Sequence, residues 1–170
     1  MVDCARSSSP VAGLVVADAA MRAGADRTVA LNILDQMRGR NGVARARAVI
    51  ELADEGAESP GETATRFVVL RDGLPRPATQ LPVVTRLGTL WTDVGWEEWK
   101  LFLEYDGRAK YRSVDDLVAE KRRHDAIVEA GGRILRVTKE DIPRRAGLAA
   151  RVSALLPPGL PVVRRPLLRS

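Results

Sequence analysis

The spacing of apolar side chains changes along the chain and divides it into a helical part and a mixed part. In residues 11–54, apolar positions recur three and four residues apart, which predicts helices. The first is expected to stop at Gly24 and the second at Asn41-Gly42, because these residue types tolerate the left-handed backbone at a helix end. The second and third helices carry apolar stripes at Val29, Ile33, Leu34 and Met37, and at Val43, Ala46, Val49, Ile50 and Ala53. Residues 1–10 are polar and are expected to be loose.

A further helix is predicted to begin at Pro60. Ser59 is a good N-cap, proline suits the first helical position, and Glu62 follows Ser59 by three residues, as in a capping box. This helix is expected to stop at Gly73.

Residues 77–107 alternate between apolar and polar side chains, which predicts two or three antiparallel strands with turns near Leu87-Gly88 and Glu97-Glu98. The remaining predicted elements are an amphipathic helix ending at Gly131-Gly132, a strand over residues 133–138 and a last helix ending at Pro157-Pro158. This order predicts a mixed α/β (α+β) layer fold. We divide the chain into an N-terminal helical extension (1–56), a mixed domain (57–157) and a loose basic tail (158–170).

Acidic side chains end a buried strand in the sequence LFLEYDG, residues 101–107. Glu104 and Asp106 occupy alternate positions, so they share one face of the strand. A hairpin would bring Asp93 alongside them, and Glu62 lies near the start of the preceding helix. Carboxylates that are close together suit Mg²⁺, which binds through oxygen ligands. Two plainer interpretations stay open: Glu62 completes a helix cap, and Asp106-Gly107 forms a turn.

The amino-acid composition limits the kinds of partner that the chain is expected to bind. The 27 basic and 22 acidic side chains give a net charge of +5, with arginines clustered at residues 122–124, 143–145 and 163–170. This balance fits a polyanion such as DNA, and it fits an arginine-rich solvated surface from a GC-rich genome equally well. The single cysteine, Cys4, argues against a disulfide framework, so a cytoplasmic location is expected. No apolar run approaches the roughly 20 residues of a membrane-spanning helix, so no membrane partner is expected.

Five segments in order carry a resemblance to a known family: ESPGETATR, LPRPATQLPV, TDVGW, KLFLEYDG and EAGGRILRVTKEDI. Together they resemble the Vsr-like endonuclease domain of the PD-(D/E)XK superfamily. They resemble in particular the family of such domains at the C-terminus of actinobacterial proteins related to AbiEi-type transcriptional regulators. The resemblance spans about residues 57–142 and implies a restriction-endonuclease-like fold, in which helices flank a central mixed sheet.

The resemblance also implies a function and a site. The function is metal-dependent hydrolysis of phosphodiester bonds in DNA, with Mg²⁺ or Mn²⁺ as cofactor. Asp93, Glu104 and Asp106 would hold the metal, and Glu62 would match the family's helical glutamate. The candidate DNA-binding residues are Arg108, Lys110, Arg112, Arg122 and Arg123.

Two of the sequence's departures from the family's pattern bear on catalysis. Asp106 stands where the superfamily usually has lysine, so that Lys110 or Lys100 would have to substitute. The histidine common after the Asp-Gly is absent, and the sole histidine, His124, is expected to be a surface or packing residue. These departures keep open an inactive nuclease fold that binds DNA or a partner protein in a regulatory or abortive-infection system. Relatives also carry an N-terminal winged-helix domain, so the chain could be a fragment of a longer protein, with residues 1–56 as its linking helices.

Overall fold

A computed structural model describes residues 1–107 and 113–169 of the chain. Within these ranges the elements are helices α1 (Val2–Ser7), α2 (Pro10–Arg22), α3 (Arg27–Gln36), α4 (Val43–Leu52), α5 (Pro60–Arg71), α6 (Val114–Glu129) and α7 (Arg145–Leu155), strands β1 (Ala78–Thr85), β2 (Gly88–Trp96), β3 (Leu101–Asp106) and β4 (Arg133–Thr138), and a 3-10 turn at Pro166–Leu168. The predicted α+β class is confirmed. None of the helices in the described ranges combines the length and the apolar character that crossing a membrane requires.

The four strands form one mixed sheet in the order β1-β2-β3-β4. The first three strands are antiparallel, and the hairpin between β1 and β2 turns at Gly88, whose positive φ suits glycine. β4 then lies parallel to β3, because α6 carries the chain back across the sheet. The parallel register sets Glu104 beside Arg136.

Alternation along β3 directs its side chains into two different layers. Leu101 and Leu103 pack with residues of α5 and α7, whereas Phe102 packs with Ile127 of α6 and Leu81 of β1. The sheet therefore lies between α5 and α7 on one face and α6 on the other. Glu104 follows the same alternation as Phe102 and lines a cavity with residues of α6.

The N-terminal helices enclose a second core, and α5 belongs to both cores. Phe67 and Leu70 of α5 pack with α1 to α4, whereas Val68 and Val69 pack with the sheet and α7. The core of the helical part is formed largely by Leu14, Leu34, Val49 and Ile50, with smaller alanines between them. The helical part is thus joined to the sheet through a shared helix.

Both ends of the chain are better packed than the sequence analysis predicted. Residues 2–7 form α1, and its Ala5 is fully buried against the other helices. In the tail, which was expected to be loose, the Val163 amide donates to Gly73 O, and Arg165 Nη1 donates to Leu70 O at 2.8 Å. Leu70 O also accepts from the Gly73 amide, so these bonds attach the tail to the C-terminal end of α5.

The apolar stripe predicted for α3 was partly wrong. Ala30 and Leu34 face the core, but Val29 and Ile33 are exposed. Because the alanine side chain ends at Cβ, an inward-facing Ala30 lets α3 lie close to the neighbouring helices. The stripe predicted for α4 is confirmed, since Ala46, Val49, Ile50 and Ala53 are all fully buried.

Candidate functional site

A cavity of about 450 Å³ lies between α6 and the C-terminal halves of β3 and β4. It contains three of the four predicted acids, Asp93, Glu104 and Asp106. The other lining residues are Tyr105, Asp116, Ala119, Glu120, Arg123 and Arg136. Among the described residues, five carboxylates and two guanidinium groups thus line this cavity, an excess of negative charge.

Asp93 marks the point where β2 leaves β3. The two strands pair from Trp96 opposite Leu101 to Val94 opposite Leu103, and no further. At the next position the Asp93 Oδ2 atom accepts a hydrogen bond from the backbone N of Tyr105 at 2.9 Å. The Asp93 side chain takes the place of a backbone acceptor. Its carboxylate is therefore held at the fork, the point where β2 and β3 separate.

Glu104 is the most deeply buried acid of the cavity, with 7% of its surface exposed. Its Oε1 atom lies 2.8 Å from Arg123 Nη1 in an ion pair. Burial raises the pKa of Glu104 above its ordinary value, and the nearby charges of Asp93 and Glu120 act in the same direction. Arg123 opposes this shift without cancelling it.

Asp106 and Arg136 face each other across the neighbouring strands. Asp106 Oδ2 lies 3.7 Å from Arg136 Nη1, and the buried Asp106 Oδ1 accepts no hydrogen bond from the residues that the structure describes. Arg136 Nη2 donates to Glu120 of α6 at 2.7 Å. Arg136 therefore joins carboxylates from the sheet and from α6.

Glu62 serves as a helix cap, as the plainer interpretation held. Its carboxylate accepts hydrogen bonds from Ser59 Oγ and from the Glu58 amide, both at 2.8 Å, while the Glu62 amide donates to Ser59 Oγ. It does not line the cavity of the other three acids. Burial raises its pKa, and the negative charges of Asp93 and Glu58 contribute. Glu62 therefore lies within electrostatic range of Asp93 without sharing its cavity.

The first turn of α5 reaches the site because Gly61 lacks a side chain. A Cβ atom at Gly61 would lie 2.1 to 2.5 Å from atoms of the Tyr105 ring. The glycine therefore allows the start of α5 to pack directly on the end of β3.

The donor set of the cavity fits a hard cation, since its ligands are carboxylate oxygens and the buried Asp106 Oδ1 has no hydrogen-bond partner within the described ranges. In their present positions, however, the described residues contain no group of three His, Cys, Asp or Glu side chains arranged to hold a metal ion. The arginines stand among the carboxylates.

The predicted DNA-binding residues are not all on one surface. Arg108, Lys110 and Arg112 lie outside the described residues. Arg122 is exposed on α6, but Arg123 lies against Glu104 in the cavity.

Two further side chains named for catalysis also lie elsewhere. The Nζ atom of Lys100, a candidate replacement for the motif lysine, donates to Ala130 O near the opposite end of β3. His124 is half-buried on α6 and does not line the cavity, in agreement with its predicted packing role.

Sequence reasoning missed Asp116, Glu120 and Arg136. The first two lie four residues apart on α6, with Arg123 three residues further, so that all three belong to one helical face. Arg136 follows Ile134 by two residues in β4 and therefore shares its face. These spacings could have identified a charged helix face above the sheet, but the pairing of β4 with β3 was needed to locate Arg136.

Comparisons with known proteins give two curated relatives, both uncharacterised proteins from strains of Mycobacterium tuberculosis. Each is 32% identical over 155 residues, which cover 89% of this chain and 57% of the relative. The chain thus spans a little over half the length of the curated relatives it matches. No family model matches the chain. No solved structure matches it either.

Proposed function

We propose that the chain is a metal-dependent phosphodiesterase of the endonuclease type that acts on DNA. The observation that carries the proposal is the position of two carboxylates at the fork between β2 and β3. Asp93 is held there by the Tyr105 amide, and Glu104 lies on the neighbouring strand in the same cavity. Carboxylates from adjacent strands that meet beside an open cavity can hold one divalent cation against a phosphate.

Several cavity residues, together with Glu62 outside the cavity, have roles in this proposal. Asp93 and Glu104 would hold the cation, and Asp106 would supply a further oxygen. When bound, the cation lowers the pKa of an attacking water and polarises the phosphate. Arg136 keeps Glu120 and Asp106 in place and adds positive charge beside the phosphate. Glu62 adds negative charge near Asp93 and orients the start of α5.

Plasmid nicking tests the proposal. The purified chain is incubated with supercoiled DNA and Mg²⁺ or Mn²⁺, alongside Glu104→Gln. The amide keeps the shape and removes one ligand charge, so the rate should fall by at least about 100-fold. Glu98→Gln is the matched control, since Glu98 is exposed in the turn between β2 and β3. Equal nicking by Glu104→Gln and the wild type would assign the cleavage to a contaminant or to another site.

A second function is favoured by the Arg123–Glu104 ion pair and by Asp106 at the motif position of lysine. A fold that has lost its chemistry could retain DNA or a protein partner in a regulatory or abortive-infection system. It would bind DNA with a steep salt dependence, because retention then depends on contacts to phosphate. Binding that is equal in the wild type and in Glu104→Gln, without cleavage under any metal, would favour this function over hydrolysis.

A further inference from the structure

The buried carboxylate of Glu104 already has a cation beside it, and this cation belongs to the protein. Arg123 Nη1 lies 2.8 Å from Glu104 Oε1. Glu104 is 7% exposed and lines the cavity, whereas 27% of the Arg123 side chain, which lines the same cavity, is exposed.

The contact is built so that it can be exchanged. Glu104 Oε1 and Arg123 Nη1 are opposite charges 2.8 Å apart, and Arg123 does not cancel the rise that burial causes in the pKa of Glu104. The other end of the guanidinium, Nη2, donates to Trp91 O. Glu120 Oε1 lies 3.8 Å from Arg123 Nη1, which gives the arginine a second carboxylate close by. Glu120, which also accepts a hydrogen bond from Arg136 at 2.7 Å, is the carboxylate toward which Arg123 would turn on leaving Glu104.

We propose that Arg123 is an internal competitor for the cation site, which a divalent metal must displace from Glu104. Two positive charges cannot share this buried carboxylate without strong repulsion, because nearby charges are poorly screened inside a protein. A displaced guanidinium remains at the mouth of the cavity, where it suits a phosphate group. The inference rests on the proposed function for the place of the metal, but it concerns cation exchange and not cleavage.

Metal affinity measured without DNA tests the competition. Mn²⁺ is titrated calorimetrically into the full chain, into Arg123→Gln and into the control Lys121→Gln. Lys121 is exposed on the same helix, so its substitution changes the net charge equally without touching Glu104. Arg123→Gln should bind Mn²⁺ about tenfold more tightly or better, because removing one partner leaves a buried carboxylate without its cation. Lys121→Gln should stay within about twofold of the wild type, since exposed charges are screened.

Arg123→Lys provides a second variant should the glutamine disturb folding. The single ammonium group of lysine cannot contact Glu104 and Trp91 O at the same time, as the planar guanidinium does. The Mn²⁺ affinity of Arg123→Lys should therefore lie between those of the wild type and Arg123→Gln. The inference is overturned if Arg123→Gln binds Mn²⁺ no more tightly than the wild type. If only Arg123→Lys folds, the same result for Arg123→Lys overturns it. It is also overturned if no variant binds Mn²⁺. Tighter Mn²⁺ binding by Arg123→Gln without plasmid nicking supports the competition and rejects the proposed hydrolysis. Plasmid nicking with unchanged Mn²⁺ affinity supports the hydrolysis and rejects the competition.

Discussion

Arg66 of α5 and Asp18 of α2 form an ion pair from which solvent is excluded. Arg66 Nη2 lies 2.7 and 2.8 Å from the two carboxylate oxygens of Asp18, and the side chains are 0% and 1% exposed. Asp18 also accepts hydrogen bonds from Thr63 Oγ1 and the Asp54 amide, and Arg66 Nη1 donates to Leu52 O. One buried network thus joins α2, the end of α4 and α5.

Asp18→Asn should destabilise the chain strongly. The amide keeps the shape of the side chain but leaves the Arg66 charge buried without its partner, at a cost of about 3–5 kcal/mol in the free energy of unfolding. Urea unfolding followed by circular dichroism measures this cost. Asp3→Asn is the control, because Asp3 pairs with Arg6 on the surface and is 90% exposed. Its cost should stay below about 1 kcal/mol. Equal costs for the two variants would contradict a structural role for the buried pair.

Leu168→Ala should show that the C-terminal tail is part of the fold. Leu168 is 2% exposed and packs in the helical core, so truncation should cost about 2–5 kcal/mol. The neighbouring Leu167 is 42% exposed, and Leu167→Ala should cost much less. Thermal unfolding of both variants makes the comparison. A small, equal loss in both would mean that the tail is not anchored through Leu168 in solution.

Gly61→Ala should lower stability although alanine is the better helix former. The added Cβ would overlap the Tyr105 ring, and the required shift should outweigh the gain in helix propensity, which is about 1 kcal/mol. Adding Tyr105→Leu should recover part of the loss, because it removes the ring that the methyl group meets. Additive effects in this double-mutant cycle, measured by urea unfolding, would rule out the contact between α5 and β3 as the cause.

The raised pKa of Glu62 predicts a change of stability with pH. A carboxyl group whose pKa is higher in the folded state binds its proton more tightly there, so folding loses stability as the pH rises from the ordinary value of 4.5 through the raised value. Glu62→Gln has no carboxyl group that could lose a proton, so its free energy of unfolding should not show this decrease. The stability of the variant relative to the wild type should therefore improve between about pH 4 and about pH 7.5. Unfolding free energies at the two pH values measure it, and a relative stability that falls with pH would contradict the sign.

The sequence predicted most local structure because local signals decide it. The cap at Ser59, the break at Gly73 and the alternation of β3 each depend on residues within one turn or one strand. The predicted positions of Glu104 and Asp106 on one face follow from that alternation. Asp93 was placed beside them by the hairpin, and it lines the same cavity.

Interactions between distant residues account for what the sequence did not reveal. Arg123 was interpreted as a contact for DNA because it belongs to the basic cluster at residues 122–124, but only the packing of α6 on the sheet brings it to Glu104. Leu168 follows prolines and arginines that are typical of a loose tail, and nothing local indicates the groove that buries it. Val29 and Ile33 have the spacing of a core stripe, yet the core takes the adjacent Ala30 and Leu34.

The division of α5 between two cores has a consequence for how the protein comes apart. Loss of the helical part would expose Phe67 and Leu70, and loss of the sheet would expose Val68 and Val69 on the same turn of helix. Neither half can melt while α5 remains fully buried. Heating should therefore produce one transition, with the calorimetric and van 't Hoff enthalpies equal. A fragment of residues 57–157 that is cut free from the N-terminal helices should bind hydrophobic dyes and aggregate.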